Sequence, residues 1–301
     1  METEQGWKRP YLWENILPSN TIHLLGGPSG AGKTRLLMGW LKEWQDKGTV
    51  MGMASPKCRI AYTAMDRVAD SIRETLQDFG DLSNSLTWRS MIGRGFGDIK
   101  ILLDDFPGVD LLIVDGIGTL VPDGKIIDYG VVARFLTRMN LLCAQAKMTI
   151  LGILHTAKTK ENEKYINPRQ RIAGSVAWAA YAETIFLLDP LNPDQASSSN
   201  IRRLWVLPRN KKEFTTDYRF DQNGVLTAES STEIETWDSR EEAILAAIGG
   251  GSDRQDIVRN CFVYGISSAA VDRGLKKLLE LGVIQRLSTG FYVQGCTPVG
   301  N

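Results

Sequence analysis

Residues Leu24 to Leu37 read LLGGPSGAGKTRLL: an apolar lead, a burst of small residues, then Lys33-Thr34 and the start of a helix by spacing. Within it, Gly27-Pro28-Ser29-Gly30-Ala31-Gly32-Lys33-Thr34 fits G-x-x-x-x-G-K-[ST], and Arg35 carries the stretch into the helix. Strand, glycine-rich loop and helix in that order restrict the fold to the α/β class. Glycines let successive backbone N–H groups turn inward around phosphate oxygens, and the helix N-terminus adds a favourable field. Lys33 is expected to reach the β- and γ-phosphates of a nucleotide, and the Thr34 hydroxyl to bind Mg²⁺. A glycine-rich turn with no ligand would explain neither the lysine nor the hydroxyl after it.

The pattern around this loop is repetitive. Thr21–Leu25, Arg59–Ala64, Leu86–Ile92, Asp110–Val114, Thr149–Leu154 and Thr184–Leu188 read as strands. Three amphipathic helices are predicted between them. Their inward faces are Leu36, Leu37, Trp40, Leu41 and Trp44; Val68, Ile72, Leu76 and Phe79; and Val131, Phe135, Leu136, Met139 and Leu142. The alternation predicts a mainly parallel sheet with helices on both faces. The run Asp110–Val114 is almost wholly apolar, as a strand covered on both sides requires. Asp115 follows it, at the carboxyl edge where open α/β sheets bind ligands, and is expected to hold Mg²⁺ as a Walker B aspartate does. A helix cap or turn is the plainer reading of such an aspartate.

Beyond the alternation the character changes. Ile201–Leu207 and Phe214–Phe220 read as an antiparallel pair added to the sheet. Ala228–Asp238 is polar and reads as a linker. Helix patterns over Ser239–Ile248, Asp253–Cys261 and Ser268–Leu281, followed by two short strands around Ser288-Thr289-Gly290, outline a winged helix. In the third helix Val271, Leu275, Leu278 and Leu279 are expected inward. The predicted organisation is a phosphate-loop α/β domain over 1–229, a linker over 230–238, a winged helix over 239–296 and a tail over 297–301.

Composition excludes little. Lys+Arg and Asp+Glu balance at 35 each, so a nucleic-acid partner would have to meet locally concentrated basic residues. Four dispersed cysteines and two histidines make a zinc site improbable and fit a reducing compartment. METEQGWKRP is polar, no run approaches the roughly 20 apolar residues of a membrane span, and a cytoplasmic protein is expected.

Kinases, GTPases, transporters and DNA motors share the phosphate loop, so the remaining motifs must distinguish them. Trp13-Glu-Asn-Ile-Leu-Pro-Ser-Asn20 leads into the first strand. Ala64-Met65-Asp66-Arg67 ends the second, and Leu154-His155-Thr156-Ala157-Lys158 ends the TILGIL strand. Arg171-Ile-Ala-Gly174-Ser175 follows a polar loop, and Arg209-Asn210-Lys211-Lys212 closes a later strand. From Trp13 to Leu226 this set resembles the RecA-like ATPases, in the branch of the plasmid RepA-type hexameric replicative helicase, with DnaB-type helicases more distant.

The resemblance implies ATP as the nucleotide and a ring, a hexamer by analogy, that translocates on single-stranded DNA. It implies a glutamate that polarises the attacking water, but Met65 stands at that position. Asp66, one place along, either takes over as base or caps a helix. His155 matches the sensor of the γ-phosphate. Arg209 and Lys211 match basic residues that act on a neighbouring subunit's ATP; a solvated basic strand end is the other reading.

The resemblance also places the loop after the His155 strand in the central channel. Lys158, Lys160, Lys164, Arg169 and Arg171 would follow DNA phosphates there, and Tyr165 would stack on a base. Gly116–Gly130 is a weaker second candidate. In the C-terminal module Arg273, Lys276 and Lys277 would face a major groove, unless that module docks a replication or recombination protein. The alternative to a motor is a regulatory or recombination-mediator ATPase that assembles on DNA or a partner without unwinding.

Overall fold

The computed structural model describes residues 10–80, 82, 86–95, 104–156, 172, 176–190, 201–220, 226–233, 239–249, 251–262, 266–280, 283–288 and 290–294. The chain forms two compact units, whose described parts end at Glu233 and begin at Ser239.

In the first unit, β1 (Tyr11–Trp13) and β2 (Leu17–Pro18) pair in a short ladder that the sequence did not announce. β3 (Ile22–Gly27) enters the phosphate loop and α1 (Lys33–Lys47) leaves it. A small hairpin, β4 (Thr49–Val50) and β5 (Met53–Ala54), follows. Next come β6 (Ile60–Ala64), α2 (Ala69–Asp78), β7 (Thr87–Ser90) and β8 (Leu111–Asp115). A 3₁₀ turn over Ile117–Leu120 precedes α3 (Tyr129–Ala146), whose first turn is capped by Asp128. β9 (Thr149–His155), α4 (Val176–Tyr181) and β10 (Thr184–Pro190) complete the alternation, and β11 (Ile201–Pro208), β12 (Phe214–Phe220) and β13 (Leu226–Glu233) extend it.

Among the described residues nine strands join in one sheet, ordered β13-β12-β11-β10-β3-β9-β8-β6-β7. Neighbours from β10 to β7 are parallel; β11, β12 and β13 add antiparallel. Side chains alternate between faces along each strand. Leu25, Tyr62, Ile113 and Leu151 therefore pack with α1 and α2, while Leu24, Ala61, Leu112 and Ile150 pack with α3 and α4. All five residues of β8 are buried, as its apolar run predicts.

Two expectations change here. Val68 is not on the inward face of α2: it precedes the helix as its N-cap and is 58% exposed. The polar stretch read as the start of a linker is sheet instead. Ser230, Ser231 and Thr232 lie in β13, opposite Asp217, Thr216 and Thr215 of β12. Ladder hydrogen bonds to a neighbouring strand outweigh polar composition at a sheet edge.

The second unit contains α5 (Ser239–Ile248), α6 (Arg254–Phe262), α7 (Ser268–Glu280) and the antiparallel pair β14 (Ile284–Arg286) and β15 (Tyr292–Gln294). Ile244, Ile257, Val271, Leu275 and Leu278 form its core. Leu279, expected inward, is 36% exposed, because it falls just outside the apolar stripe of α7. No helix among the described residues is long and apolar enough to cross a membrane.

An aromatic cluster anchors α1 over the sheet. The Trp40 ring lies 5.4 Å from that of Trp13 and 5.3 Å from that of Phe186, and its indole N–H donates to the Tyr218 hydroxyl at 3.2 Å. Trp40→Ala is expected to lower the unfolding free energy by about 3–5 kcal/mol, read by chemical denaturation. A loss below about 1 kcal/mol would show that this cluster does not hold the helix.

Candidate functional site

Parallel register brings distant residues to one edge. Gly27 of β3 is level with His155 of β9, and Ala64 of β6 with Asp115 of β8. These positions stand at the carboxyl ends of their strands. A cavity of about 480 Å³ opens there, bordered by Lys33, Thr34, Arg35, Asp66, Arg67, Asp115, His155 and Arg202.

The loop owes its path to glycine. A Cβ on Gly27 would come within 2.5 Å of the Leu188 carbonyl oxygen on β10, so no side chain fits where the chain leaves β3. Gly30 and Gly32 hold φ of 76° and 94°, the left-handed region that glycine enters without penalty. The turn before them is closed by the Ala31 N–H, which donates to the Pro28 carbonyl at 3.2 Å, and Ala31, between the two glycines, is buried.

Lys33 folds back over this loop. Its ammonium donates to the carbonyls of Gly27 at 2.8 Å and Pro28 at 3.0 Å, and lies 3.3 Å from His155 Nδ1. An ammonium can only donate, so Nδ1 is the acceptor in that contact. Burial lowers the Lys33 pKa to about 8, against the opposing charge of Asp115. Desolvation, then the Lys33 charge, lowers the pKa of His155, while Asp115 and Asp66 pull it up. The net effect favours the neutral imidazole.

Asp115 is the most heavily engaged group. Its Oδ2 accepts from Tyr62 OH at 2.7 Å, Arg67 Nη2 at 2.6 Å and Thr34 Oγ1 at 3.2 Å. Burial, then the charge of Asp115, pushes the Tyr62 pKa well above the ordinary phenol value, so Tyr62 stays a donor. Arg67 Nη2 also donates to Thr34 Oγ1 at 2.9 Å. Thus the hydroxyl and carboxylate expected to bind Mg²⁺ do converge on a single cationic group. Two hard oxygen donors around one positive charge fit the ion's preference.

The structure sets Asp66, not Met65, against the cavity. Met65 is 4% exposed and belongs to the apolar cluster that contains Val114 and Ile117. A carboxylate in its place would have to leave water for that cluster.

Arg209 and Lys211 border no part of this cavity. β11 runs antiparallel to β10, so its Arg202 end is beside the loop and its far end is at the amino ends of the parallel strands. At roughly 3.3 Å per residue the strand carries Arg209 about 20 Å away. There its guanidinium bonds the carbonyls of Ala180 and Ala182 and lies 4.0 Å from the Glu183 carboxylate. Lys211 is exposed.

The proposed DNA residues Lys158, Lys160, Lys164, Arg169 and Arg171, with Tyr165, Gly174 and Ser175, lie outside the described residues. In the second unit Arg273, Lys276 and Lys277 are exposed on α7, with Lys276 3.9 Å from Glu280. In the weaker candidate segment, Asp128 is occupied as the cap of α3 and Asp123 lies 3.4 Å from Lys125.

Sequence reading missed Tyr62, Arg67 and Arg202. Arg202 is buried, and its Nε donates to the Ala31 carbonyl at 3.3 Å. Arg67 had one usable signal, its place just after a strand end beside Asp66. Tyr62 and Arg202 had none, because each reaches the site only through strand pairing.

A family model described as an AAA domain, AAA_25, matches residues 4–161, just over half of the chain. That stretch carries the phosphate loop, Asp66, Arg67, Asp115 and His155; Arg202 and Arg209 follow it. Comparison with curated proteins gives no match.

The displaced pKa of Lys33 sets a pH dependence. A bound phosphate favours the ammonium, so affinity is full where Lys33 is already charged in the free protein, below about pH 8. Above that pH binding must take up a proton, and the dissociation constant is expected to rise by up to about tenfold per unit. Titration with a fluorescent ATP analogue should show this bend in the wild type and not in Lys33→Ala. Constant wild-type affinity through about pH 9 would rule the assignment out.

Proposed function

The chain belongs to the AAA domain family of P-loop ATPases, and from that premise we propose that it is an ATP-driven motor on single-stranded DNA, acting as a replicative-type helicase ring. The observation that carries this reading is the polarity of β11. It puts Arg202 beside the chain's own phosphate loop and sends Arg209 and Lys211 to the opposite end of the sheet. Cations that cannot reach their own nucleotide are suited to reach that of a second copy.

In this arrangement Lys33 leaves the loop carbonyls for the β- and γ-phosphates, and the inward backbone N–H groups hold the remaining oxygens. Thr34 and Asp115 would hold Mg²⁺, which when bound offsets charge on the transferring phosphoryl group. Asp66, at the cavity edge, orients the attacking water and takes its proton. His155 touches Lys33 and in sequence shortly precedes Lys158, so a change at the γ-phosphate would have a route along the chain to the proposed DNA-binding residues. The exposed Arg273, Lys276 and Lys277 fit a winged helix that meets DNA phosphates.

A shared site makes a particular demand on mixtures. Lys33→Ala and Arg209→Ala are each expected to lose DNA-stimulated ATPase and unwinding of a forked duplex. Mixing the two should restore part of both activities, because some interfaces then join an intact loop to an intact arginine. Absence of recovery, with mixed oligomers shown to form, would reject the shared site. Intact, DNA-stimulated ATPase without strand separation would reject the helicase.

One observation favours the alternative, a nucleotide-state switch that assembles on DNA or a partner. Met65 is buried where the family resemblance expects a glutamate, leaving the shorter Asp66. Asp66→Asn separates the readings. For the motor, turnover should fall by about 10²-fold or more with nucleotide affinity nearly unchanged. For the switch, turnover is slow in the wild type and Asp66→Asn changes it little.

A further inference from the structure

Arg67 lies in the place expected of the divalent cation. One nitrogen, Nη2, is 2.6 Å from Asp115 Oδ2 and 2.9 Å from Thr34 Oγ1. These are the two oxygens that a bound Mg²⁺ would contact, at about 2.0–2.1 Å or through its water shell. A guanidinium nitrogen and an ion of like charge cannot both sit between them.

The arrangement is built rather than incidental. Ser90 Oγ on β7 donates to the Arg67 carbonyl at 2.6 Å and pins the backbone. From there the side chain turns inward, past the Thr75 hydroxyl at 3.5 Å from Nη1. Register sets the reach, since Ala64 at the end of β6 is level with Asp115 and Arg67 follows shortly after. The side chain is 27% exposed and that of Asp115 is 11% exposed, so the pair borders the cavity and can part without disturbing the core.

We propose that Arg67 is an internal substitute for the metal: it neutralises Asp115 in the metal-free protein and must be displaced when Mg²⁺ and nucleotide enter. The inference rests on the reading of this cavity as a magnesium–nucleotide site. Its physical content is a competition. Every Mg²⁺ ion that binds breaks a charge-assisted hydrogen bond between Arg67 and Asp115, so the protein demands more metal than the same site without the arginine. Lys33 bonds loop carbonyls and acts on Asp115 only through its charge, without a hydrogen bond to the carboxylate. Arg67 is thus a competitor of the metal for Asp115 and takes no part in bond breaking.

The test is a Mg²⁺ titration of fluorescent ATP analogue binding, read by anisotropy at fixed protein, for full-length wild type, Arg67→Gln and Arg67→Lys. Arg67→Gln keeps hydrogen-bonding capacity but removes the charge. Its half-saturating Mg²⁺ should fall by about tenfold or more, while Arg67→Lys stays nearer the wild type. In EDTA and without nucleotide, Arg67→Gln should unfold at a lower temperature than wild type, because Asp115 has lost its counter-charge. Saturating Mg²⁺ with the analogue should close that gap.

Equal half-saturating Mg²⁺ in wild type and Arg67→Gln would overturn the proposal. So would loss of analogue binding by Arg67→Gln at every Mg²⁺ concentration, which would make Arg67 a nucleotide contact. If Arg67→Gln fails to fold, Arg67→Ala carries the same comparison, and failure of both to fold would show a structural role that overturns it. A wild type that binds no analogue at any Mg²⁺ concentration would overturn the nucleotide site itself. A wild type that binds but shows no shift on substitution would overturn only the competition.

Discussion

A single carboxylate oxygen ties the site together. Asp115 Oδ2 accepts hydrogen bonds from Tyr62 on β6, Thr34 at the start of α1 and Arg67 in the turn after β6. Donors from two separate stretches of the chain, the start of α1 and the end of β6 with its following turn, thus meet on one atom at the end of β8. Charged acceptors make the stronger hydrogen bonds, and a partly buried carboxylate left without donors would be costly. The phosphate loop, the neighbouring strand and the entry to α2 are therefore held in one arrangement.

That atom is well placed because of the sheet beneath it. β8 is buried on both faces, between α1 and α2 on one side and α3 and α4 on the other. A strand buried this way leaves polar chemistry only at its ends, and parallel pairing gathers the ends of β3, β6, β8 and β9 along one edge. The loop after β3 is equally constrained. Leu188 on β10 comes so close to Gly27 that the chain turns there without a side chain. Lys33 then satisfies itself on carbonyls of that loop, which keeps its ammonium near the place a phosphate would take.

β11 divides two kinds of basic residue between the two opposite edges of the first unit's sheet. Arg202 reaches the Ala31 carbonyl beside the cavity. Arg209, just past the other end of the strand, is held by backbone carbonyls at the end of α4, those of Ala180 and Ala182. In an antiparallel extension of a parallel sheet, one strand necessarily spans from the ligand edge to the opposite edge. Function proposed for a neighbouring subunit and function within the subunit can therefore share one strand.

Much of this was legible in the residues themselves. The phosphate loop, the buried strand that ends in Asp115 and the β-α alternation are local patterns. They depend on backbone conformation, side-chain period and burial, all of which short stretches of sequence determine. Pairing across the sheet is not local. It made Ser230 to Thr232 a strand, brought Tyr62 and Arg202 to the site, turned Arg209 away from it, and seated Arg67 between Thr34 and Asp115. Sequence determined which segments would be strands and helices and where phosphate would be met. Only the tertiary structure decided which side chains share the space around it, because hydrogen bonds between distant segments follow register and strand order, and neither is written in any one segment.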